Sequence, residues 1–293
     1  MDWFLSSSAF IILYGVSYGL VLFTISIGLV ITMGLMRVMN LAHGAFAAVG
    51  GYLAVGLMNS SGTPFLLAIV LAALIVAGLS VILERLVYVH LYKASDLDQV
   101  LMTLGVNFIV VGALTLAFGP NVFPMQLPMF LRGNIDLGFR TFEVYRTFVI
   151  LVGAAAAISL TVVFDRTNFG ARLRAAVDNR GMAQAIGIDV GRLFSISFAI
   201  GSGLAALGGA VGAAMLPLEP LYPFKYLVLV LIVVSLSGAG DIKGALGAAI
   251  FVGIVDTAGR FLAPEVGGFV IYVLLIALVV WRRQGLFSSQ GAT

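Results

Sequence analysis

Long runs of apolar residues, separated by short polar stretches, dominate the chain. A helix needs about 20 predominantly apolar residues to cross the hydrocarbon core of a membrane, and six runs reach or approach that length. They predict spans over Phe10–Met36, Phe65–Val87, Gln99–Gly119, Thr147–Phe164, Leu193–Leu216 and Gly244–Ala263.

Three further apolar runs are weaker. Leu41–Met58 is short and rich in Gly and Ala, Tyr226–Ser237 is shorter still, and Gly267–Trp281 ends at Arg282 and Arg283. Backbone groups at membrane depth must be hydrogen-bonded within the protein, so these segments are either buried helices or broken, re-entrant ones that line a cavity. The pattern predicts an all-α, polytopic transmembrane bundle of eight or nine spans, with residues 1–293 forming a single domain.

Composition places the chain among membrane proteins. Hydrophobic residues make up 61% of it and charged residues 10%, whereas a soluble domain carries about a quarter charged residues. The absence of cysteine excludes a disulfide framework, a thiolate metal site and a thiol nucleophile. A net charge of +3 is too small to indicate nucleic-acid binding. The first residues lack the basic start of a cleavable signal peptide, so the first apolar run is expected to stay in the mature protein.

The basic residues predict an orientation, because cytoplasmic loops carry an excess of Lys and Arg. If Arg282 and Arg283 are cytoplasmic and all nine segments cross, then the loops that contain Arg37, Lys93 and Lys243 are cytoplasmic too, together with residues 165–192. The N-terminus and residues 120–146 then face outward. An eight-span arrangement would invert the N-terminus.

The stretch GARLRAAVDNRGMAQAIGID, residues 170–189, interrupts the apolar pattern between two predicted spans. It predicts a helix over Gly170–Val177 and a second over Arg180–Ile186, with Asp178 or Asn179 as the N-cap and Gly187 as the left-handed residue that ends it. Too little membrane lies nearby to bury all of its apolar residues, which are Leu173, Val177, Met182 and Ile186. Its arginines suit acidic groups on a partner; they are Arg172, Arg174 and Arg180. The alternative is a solvated, positively charged loop.

Residues 120–146 form the longest loop assigned to the opposite side. Pro120, Pro124 and Pro128 disfavour helix, and Ile135, Leu137 and Phe139 alternate with polar or small residues as in a short strand. A small hairpin is predicted there.

Polar and small residues inside the spans have both a structural and a functional interpretation. Asn40 and His43 are expected mainly to cap backbone amides and to bond another helix, with substrate contact as the alternative. Thr103 and Asn107, one helical turn apart, indicate either an interhelical hydrogen bond or a stripe facing the transport pathway. Asp256 and Arg260 have the spacing of a helical ion pair. Five glycines of the fifth long span, Leu193–Leu216, predict close helix packing: Gly201, Gly203, Gly208, Gly209 and Gly212.

The transport pathway is predicted to be mostly apolar, with few polar anchors. Backbone groups of broken helices can then meet the two charges of a zwitterion. The candidate pathway residues are Asn40, His43, Gly44, Gly50, Gly51, Thr103, Asn107, Ser235, Ser237 and Gly238. Leucine or valine fits this chemistry, and urea and simple amides fit it less well.

No catalytic or metal-binding equipment is recognisable. The chain lacks the G-x-x-x-x-G-K-[ST] motif that cradles nucleotide phosphates, and its only histidines are His43 and His90, outside any H-E-x-x-H motif. A hydrolase of the zinc or serine type is therefore not expected, and any ATP-derived energy has to come from a partner. A secondary transporter is the main rival from another class, although such a protein does not require the polar segment at 165–192.

Three blocks carry a family resemblance: RVMNLAHGAFAAVGGYLAV at 37–55, GARLRAAVDNRGMAQAIGID at 170–189 and VSLSGAGDIKGALGAAI at 234–250. They resemble the branched-chain amino acid ABC importer permeases, most nearly the H-type subunit, from about Tyr18 to Leu286. Related permeases carry urea, amides or aromatic acids, which are the alternative substrates. The third block departs from the pattern, since Ser235, Ser237, Asp241 and Lys243 stand where relatives are more glycine-rich and less charged.

The resemblance implies the ABC importer permease fold and a multi-pass position in the bacterial cytoplasmic (inner) membrane. It implies a second permease subunit of the homologous M type, two ATP-binding subunits that hold ATP and magnesium, and an extracytoplasmic substrate-binding protein; this chain itself binds no cofactor. Arg132, Arg140 and Arg146 are the residues expected to dock the binding protein. The coupling element that meets the ATP-binding subunits corresponds to Gly170, Arg172, Leu173, Arg174, Val177, Asp178, Asn179, Arg180, Met182, Ile186 and Gly187.

Overall fold

A computed structural model describes residues 2–36, 38–92, 94–136, 138, 140–238 and 240–281. Arg37, Lys93, Leu137, Phe139, Arg282 and Arg283, which enter the predictions above, lie outside these described residues. The helices, in chain order, are α1 (Asp2–Leu35), α2 (His43–Ser61), α3 (Phe65–Leu83), a π-helical turn (Glu84–Tyr88), α4 (Val89–Leu91), α5 (Asp96–Phe118), a 3₁₀ turn (Met129–Leu131), α6 (Val144–Arg166), α7 (Asn168–Asp178), α8 (Arg180–Ala185), α9 (Val190–Gly212), α10 (Tyr222–Lys225), α11 (Leu227–Ser237), α12 (Ile242–Leu262) and α13 (Gly267–Trp281).

Six helices of the described chain are long and apolar enough to cross a membrane: Ser7–Gly34, Phe65–Leu91, Asp96–Phe118, Val144–Arg166, Val190–Gly212 and Ile242–Leu262. Each coincides with one of the six long predicted spans, so the chain is a polytopic helical membrane protein. The three weaker segments are also helical, as α2, α11 and α13. α2 is largely buried against other helices, as expected for a segment with little hydrophobicity of its own.

Capping residues explain most differences between the predicted and observed helix bounds. Ser95 accepts a hydrogen bond from the amide of Asp98, so α5 starts before Gln99. The side chain of Asp189 caps α9 by accepting a hydrogen bond from the amide of Arg192. The side chain of Asp241 caps α12 in the same way, by accepting one from the amide of Gly244. At the other end, α9 stops at Gly212 and not at Leu216.

α1 lies at the centre of the bundle and packs against α6, α9, α11 and α12. Glycines allow these helices to approach closely: a Cβ atom at Gly209 of α9 would overlap the carbonyl oxygen of Ala47 in α2, and one at Gly201 would lie 2.8 Å from the Cα atom of Gly28 in α1. The predicted packing role of the α9 glycines is confirmed at these contacts. Lipid tails are as apolar as the helix surfaces, so the hydrophobic effect does not drive helices together in a membrane. Van der Waals packing between close backbones is then a main cause of helix association.

α3, α5 and α6 enclose this centre and expose large apolar side chains. Leu74, Ile109, Leu116 and Leu151 are among them, and Leu116 is 90% exposed. Helix faces of this kind suit contact with lipid or with another membrane subunit.

The predicted hairpin is present in the loop between α5 and α6. Strands β1 (Asn134–Asp136) and β2 (Thr141–Glu143) pair antiparallel, with Ile135 opposite Phe142. Because α6 begins directly after β2 and ends at the polar segment α7–α8, these two features lie at opposite ends of the bundle. They are called the hairpin end and the coupling end below.

The seam between α2 and α9 generates a stability prediction. Gly209→Ala should destabilise the protein by about 1–3 kcal/mol, because overpacking forces the backbones of two helices apart. Gly112→Ala on α5 is the matched control, since a Cβ there meets no atom within 4 Å. The melting temperatures of both variants in detergent provide the measurement; equal melting temperatures would contradict the role given to the seam.

Candidate functional site

Two capped helices form the polar segment between α6 and α9. The hydroxyl of Thr167 accepts a hydrogen bond from the amide of Gly170 at 3.5 Å, so α7 begins two residues before its predicted start. The side chain of Asn179 accepts one from the amide of Met182 at 2.9 Å. Of the two predicted N-caps for α8, Asn179 is therefore the correct one.

Gly187 closes the segment as predicted. Its φ is 85°, and its amide donates to the carbonyl of Gln184 while the amide of Ile188 donates to that of Ala183, both at 3.0 Å. This is the hydrogen-bond pattern of a left-handed helix end, where a side chain would be strained. The helix itself ends at Ala185, one residue before the predicted end.

The apolar residues of the segment divide into two groups. Leu173 is fully buried and Val177 partly so, which makes them part of the packing against the bundle. Met182 on α8 is 62% exposed, and Ile186, the residue after α8, is 68% exposed. Both lie outside the long apolar helices. Neighbouring apolar side chains that are exposed one helical turn apart mark a candidate contact for another protein.

The arginines of the segment also have different surroundings. Arg174 donates a hydrogen bond to the carbonyl of Phe164 near the end of α6, so it fastens α7 to a span. Arg172 and Arg180 are exposed. The guanidinium of Arg180 additionally lies 5.6 Å from the ring centre of Phe194 in α9.

A buried carboxylate links this end of α9 to α3. Glu84 accepts a hydrogen bond from Ser195 at 2.7 Å and another from the hydroxyl of Tyr92. Burial raises the pKa of Tyr92, and the hydrogen bond to Glu84 raises it further, so the phenol stays protonated and keeps donating. Tyr92 also packs edge-on against Phe194, the ring beneath Arg180.

Glu84 begins the π-helical turn, and Tyr88 ends it. The hydroxyl of Tyr88 donates to the side-chain oxygen of Asn40 at 2.8 Å, and the same oxygen accepts from the amide of Ala42 at 3.0 Å. The predicted capping of backbone amides by Asn40 is thereby confirmed. Turns of this kind occur frequently at functional sites.

Asn40 lies in a non-helical break that separates α1 from α2. Three polar side chains of α5, spaced one turn apart, bond the backbone of this break. Gln99 accepts from the amide of Met39 at 2.8 Å, Thr103 accepts from the amide of Leu41 at 3.2 Å, and Asn107 donates to the carbonyl of Leu41 at 3.1 Å. For Thr103 and Asn107, the structural alternative of an interhelical hydrogen bond is observed; a role in the pathway stays a prediction.

His43 begins α2 and is buried. Neither of its ring nitrogens makes a hydrogen bond to a described residue. The predicted hydrogen bond to another helix is thus not observed. Its ring instead lies against Gly28 and edge-on to Phe46.

The remaining pathway candidates are placed as follows. Gly44, Gly50 and Gly51 are close-packing positions, against Pro223, Ala206 and Leu218 respectively. Ser237 donates to the carbonyl of Val234 at 3.0 Å at the end of α11, Gly238 follows with a φ of 79°, and Ser235 is exposed. Their contact with substrate stays a prediction.

The three arginines of the hairpin end differ in their freedom. Arg132 is exposed, and Arg140 lies over the ring of Phe10 at 4.9 Å. Arg146 is only 19% exposed, pairs with Glu143 at 3.1 Å and donates to Ser17 at 3.3 Å. Arg132 donates a hydrogen bond to the carbonyl of Leu127 at 2.5 Å, so all three arginines have contacts within the chain. Docking of a binding protein stays a prediction for all three.

The predicted ion pair of α12 is confirmed, with Arg260 Nε 2.8 Å from Asp256 Oδ2. Both residues line a cavity of about 530 Å³ at the hairpin end, which Arg146 also borders.

Sequence reasoning missed Glu84, Tyr88 and Gln99. An acidic residue inside an apolar run is a signal in itself, because such charges are rare in spans and face the protein interior. Gln99 shares the spacing of Thr103 and Asn107, one turn earlier, and the stripe of three was recognisable from that spacing. Tyr88 gave no signal, since its partner is distant along the chain.

A multi-pass helical bundle with a capped, partly apolar element outside its long apolar helices is the architecture expected of a membrane transport subunit. The chain belongs to the family described as branched-chain amino acid transport system / permease component, whose family model matches residues 11–279. It is thus a permease subunit, without an enzymatic activity of its own.

Curated relatives share almost the whole chain. A probable branched-chain amino acid transport permease protein LivH from Methanocaldococcus jannaschii is 28% identical over 94% of this chain and 89% of its own length. The high-affinity branched-chain amino acid transport system permease proteins LivH of Escherichia coli K12 and BraD of Pseudomonas aeruginosa are 24% and 22% identical over 94% of this chain, covering 93% and 94% of their own lengths.

The ladder of side chains on α5 generates a prediction. Thr103→Val keeps the shape of the side chain but leaves the amide of Leu41 unpaired, which should cost about 1–3 kcal/mol of stability. Thr115→Val is the matched control, because Thr115 is exposed on the same helix and bonds only the carbonyl of Val111 one turn back. Thermal unfolding of both variants is the measurement. If Thr115→Val loses as much stability as Thr103→Val, the bond from Thr103 to the break is not what stabilises the protein.

Proposed function

We propose that this chain forms one half of the transmembrane pathway of an ATP-binding-cassette importer for branched-chain amino acids. Family membership over residues 11–279 supports the permease role, and the names of the relatives support the substrate. The hairpin end then faces outward and the coupling end faces the cytoplasm. The partners are a second permease subunit, two ATP-binding subunits and an extracytoplasmic substrate-binding protein, assembled at the cytoplasmic (inner) membrane.

The observation that carries the coupling role is the exposure of Met182 on α8 and of Ile186 directly after it. An apolar pair beyond the spans gains free energy when a protein surface covers it. Arg172 and Arg180 beside it supply positive charge for acidic groups of that surface. Movement of an ATP-binding subunit then reaches the bundle through α7, which Arg174 fastens to α6, and through Arg180, which lies over Phe194 of α9.

A substrate with an apolar side chain agrees with the scarcity of charge in the spans. A buried, uncompensated ion costs several kcal/mol, whereas a zwitterion of small size brings charges that compensate one another. The aliphatic side chain of leucine or valine forms no hydrogen bonds with water, so it has none to give up when it contacts walls of Leu, Val and Phe side chains.

Loss of the exposed pair should uncouple ATP hydrolysis from transport. Met182→Ser with Ile186→Ser should weaken retention of the ATP-binding subunits by roughly tenfold, the scale of one buried contact residue in an interface. Gln184→Ser, also exposed on α8, is the control. Co-purification and ATP-driven uptake in vesicles are measured together, and unchanged retention and uptake in the double variant would refute the coupling role.

Competition distinguishes the substrate class. In vesicles that contain the complete transporter, unlabelled leucine should inhibit uptake of labelled leucine strongly, with phenylalanine and urea weaker inhibitors. Lysine and glutamate should inhibit least, because their extra charge remains uncompensated in an apolar pathway. Preferential inhibition by lysine or glutamate would contradict the proposed substrate.

A further inference from the structure

The cavity at the hairpin end has the size of a ligand site. At about 530 Å³, it lies within the range of about 300–1,000 Å³ that small-molecule pockets occupy. Its lining combines an ion pair with aromatic rings, among them Phe10, Tyr14, Tyr18 and Phe261 beside Asp256 and Arg260.

Asp256 is the unusual member of this lining. Its side chain is 2% exposed, and Oδ2 accepts the hydrogen bond from Arg260. Oδ1 is buried and has no hydrogen-bond partner among the described residues. A buried charge that is only half compensated is costly, and ionisable residues within spans mark functional sites by default.

Arg260 has positively charged hydrogen-bond donors that no described residue uses. Its side chain is 62% exposed, and Nε makes its only hydrogen bond to a described residue. The two terminal amino groups of the guanidinium are therefore free to bind a carboxylate in bidentate geometry.

The other cations that line the cavity in the described part of the chain are already paired. Arg146 bonds Glu143 and Ser17, and Lys225 pairs with Glu219. Asp256 and Arg260 are the charged groups of the lining that have no partner outside their own pair among the described residues. They offer one acceptor and one set of donors, four residues apart on α12.

An apolar wall adjoins the ion pair. The ring centres of Phe10 and Phe261 are 5.4 Å apart, and the ring of Tyr14 stacks on Phe10 at 3.9 Å. The guanidinium of Arg140 lies over both phenylalanines, 4.9 Å from the ring centre of Phe10 and 5.6 Å from that of Phe261. A ligand that reaches both charges of the ion pair therefore meets aromatic carbon beside a further cation.

We infer that this cavity binds the zwitterionic head of an apolar amino acid. Once the Asp256 carboxyl group turns towards the cavity, Oδ1 accepts from the α-ammonium group. The terminal amino groups of Arg260 bind the α-carboxylate, and Phe10 and Phe261 contact the side chain. A simple cation would be repelled by Arg260, and a simple anion would leave Oδ1 unpaired. The inference rests on the proposed function and adds to it a substrate site on the outward side of the permease.

Cysteine protection tests the inference directly. The chain has no cysteine, so Thr257→Cys places one thiol on the cavity wall. Ser61→Cys places a control thiol at the exposed end of α2. Both are made in the complete transporter, held in lipid nanodiscs and labelled with a hydrophilic thiol reagent. Leucine at about ten times its half-protecting concentration should slow labelling of Thr257→Cys roughly tenfold, because only the free cavity reacts, and should leave Ser61→Cys unchanged.

Leucinamide, which lacks the carboxylate, and 4-methylpentanoate, which lacks the ammonium group, resolve the two contacts. In the Thr257→Cys background, Asp256→Asn should raise the half-protecting concentrations of leucine and leucinamide by roughly tenfold or more, with little effect on 4-methylpentanoate. Arg260→Lys, which keeps the charge but loses bidentate geometry, should weaken leucine and 4-methylpentanoate more than leucinamide. A merely structural ion pair would affect all three compounds alike.

Equal protection by the three compounds, or no protection by leucine, overturns the inference, and so does a uniform response to both substitutions. ATP-driven uptake of leucine by the same preparation separates this result from the proposed function. Uptake without protection refutes the cavity alone, and protection without uptake supports the cavity while refuting the importer. The absence of both refutes the two together.

Discussion

The need to satisfy buried backbone hydrogen bonds governs the centre of this protein. Between α1 and α2 the chain leaves helical geometry while it stays buried, as Val38, Asn40 and Ala42 show, and each unpaired amide or carbonyl there is costly. Gln99, Thr103 and Asn107 meet this demand from α5, and Asn40 meets part of it from within the break. The position of α5 is thereby fixed by polar contacts, although its outer surface is apolar.

The same break connects to the coupling end through a continuous series of contacts. Arg180 lies over Phe194, Phe194 packs against Tyr92, and Tyr92 bonds Glu84. The π-helical turn that starts at Glu84 ends at Tyr88, whose hydroxyl bonds Asn40. Packed rings and hydrogen bonds thus connect α8 with the break between α1 and α2.

Periodicity and capping chemistry were enough to predict the six long helices, the caps at Asn179 and Gly187, the hairpin and the Asp256–Arg260 pair. All of these depend on residues within a few positions of one another. What the sequence could not reveal are contacts between distant segments: that Tyr88 reaches Asn40, that Arg174 fastens α7 to α6, and that Leu173 is buried while Met182 is exposed. For His43, the expected hydrogen bond gave way to packing against Gly28, because the space available for the ring depends on how closely α1 and α9 approach.

The buried face of α3 continues into the π-helical turn at its end. Every fourth residue from Ala68 to Tyr88 is buried, namely Ala68, Ala72, Val76, Ser80, Glu84 and Tyr88. In an α-helix of 3.6 residues per turn, positions four apart rotate by about 40° relative to one another, so such a row winds steadily around the helix. A wider turn accommodates an additional residue and rotates the row back. Tyr88 consequently stays on the side of the break, and removal of a single residue from the turn would swing its hydroxyl about 100° away from Asn40.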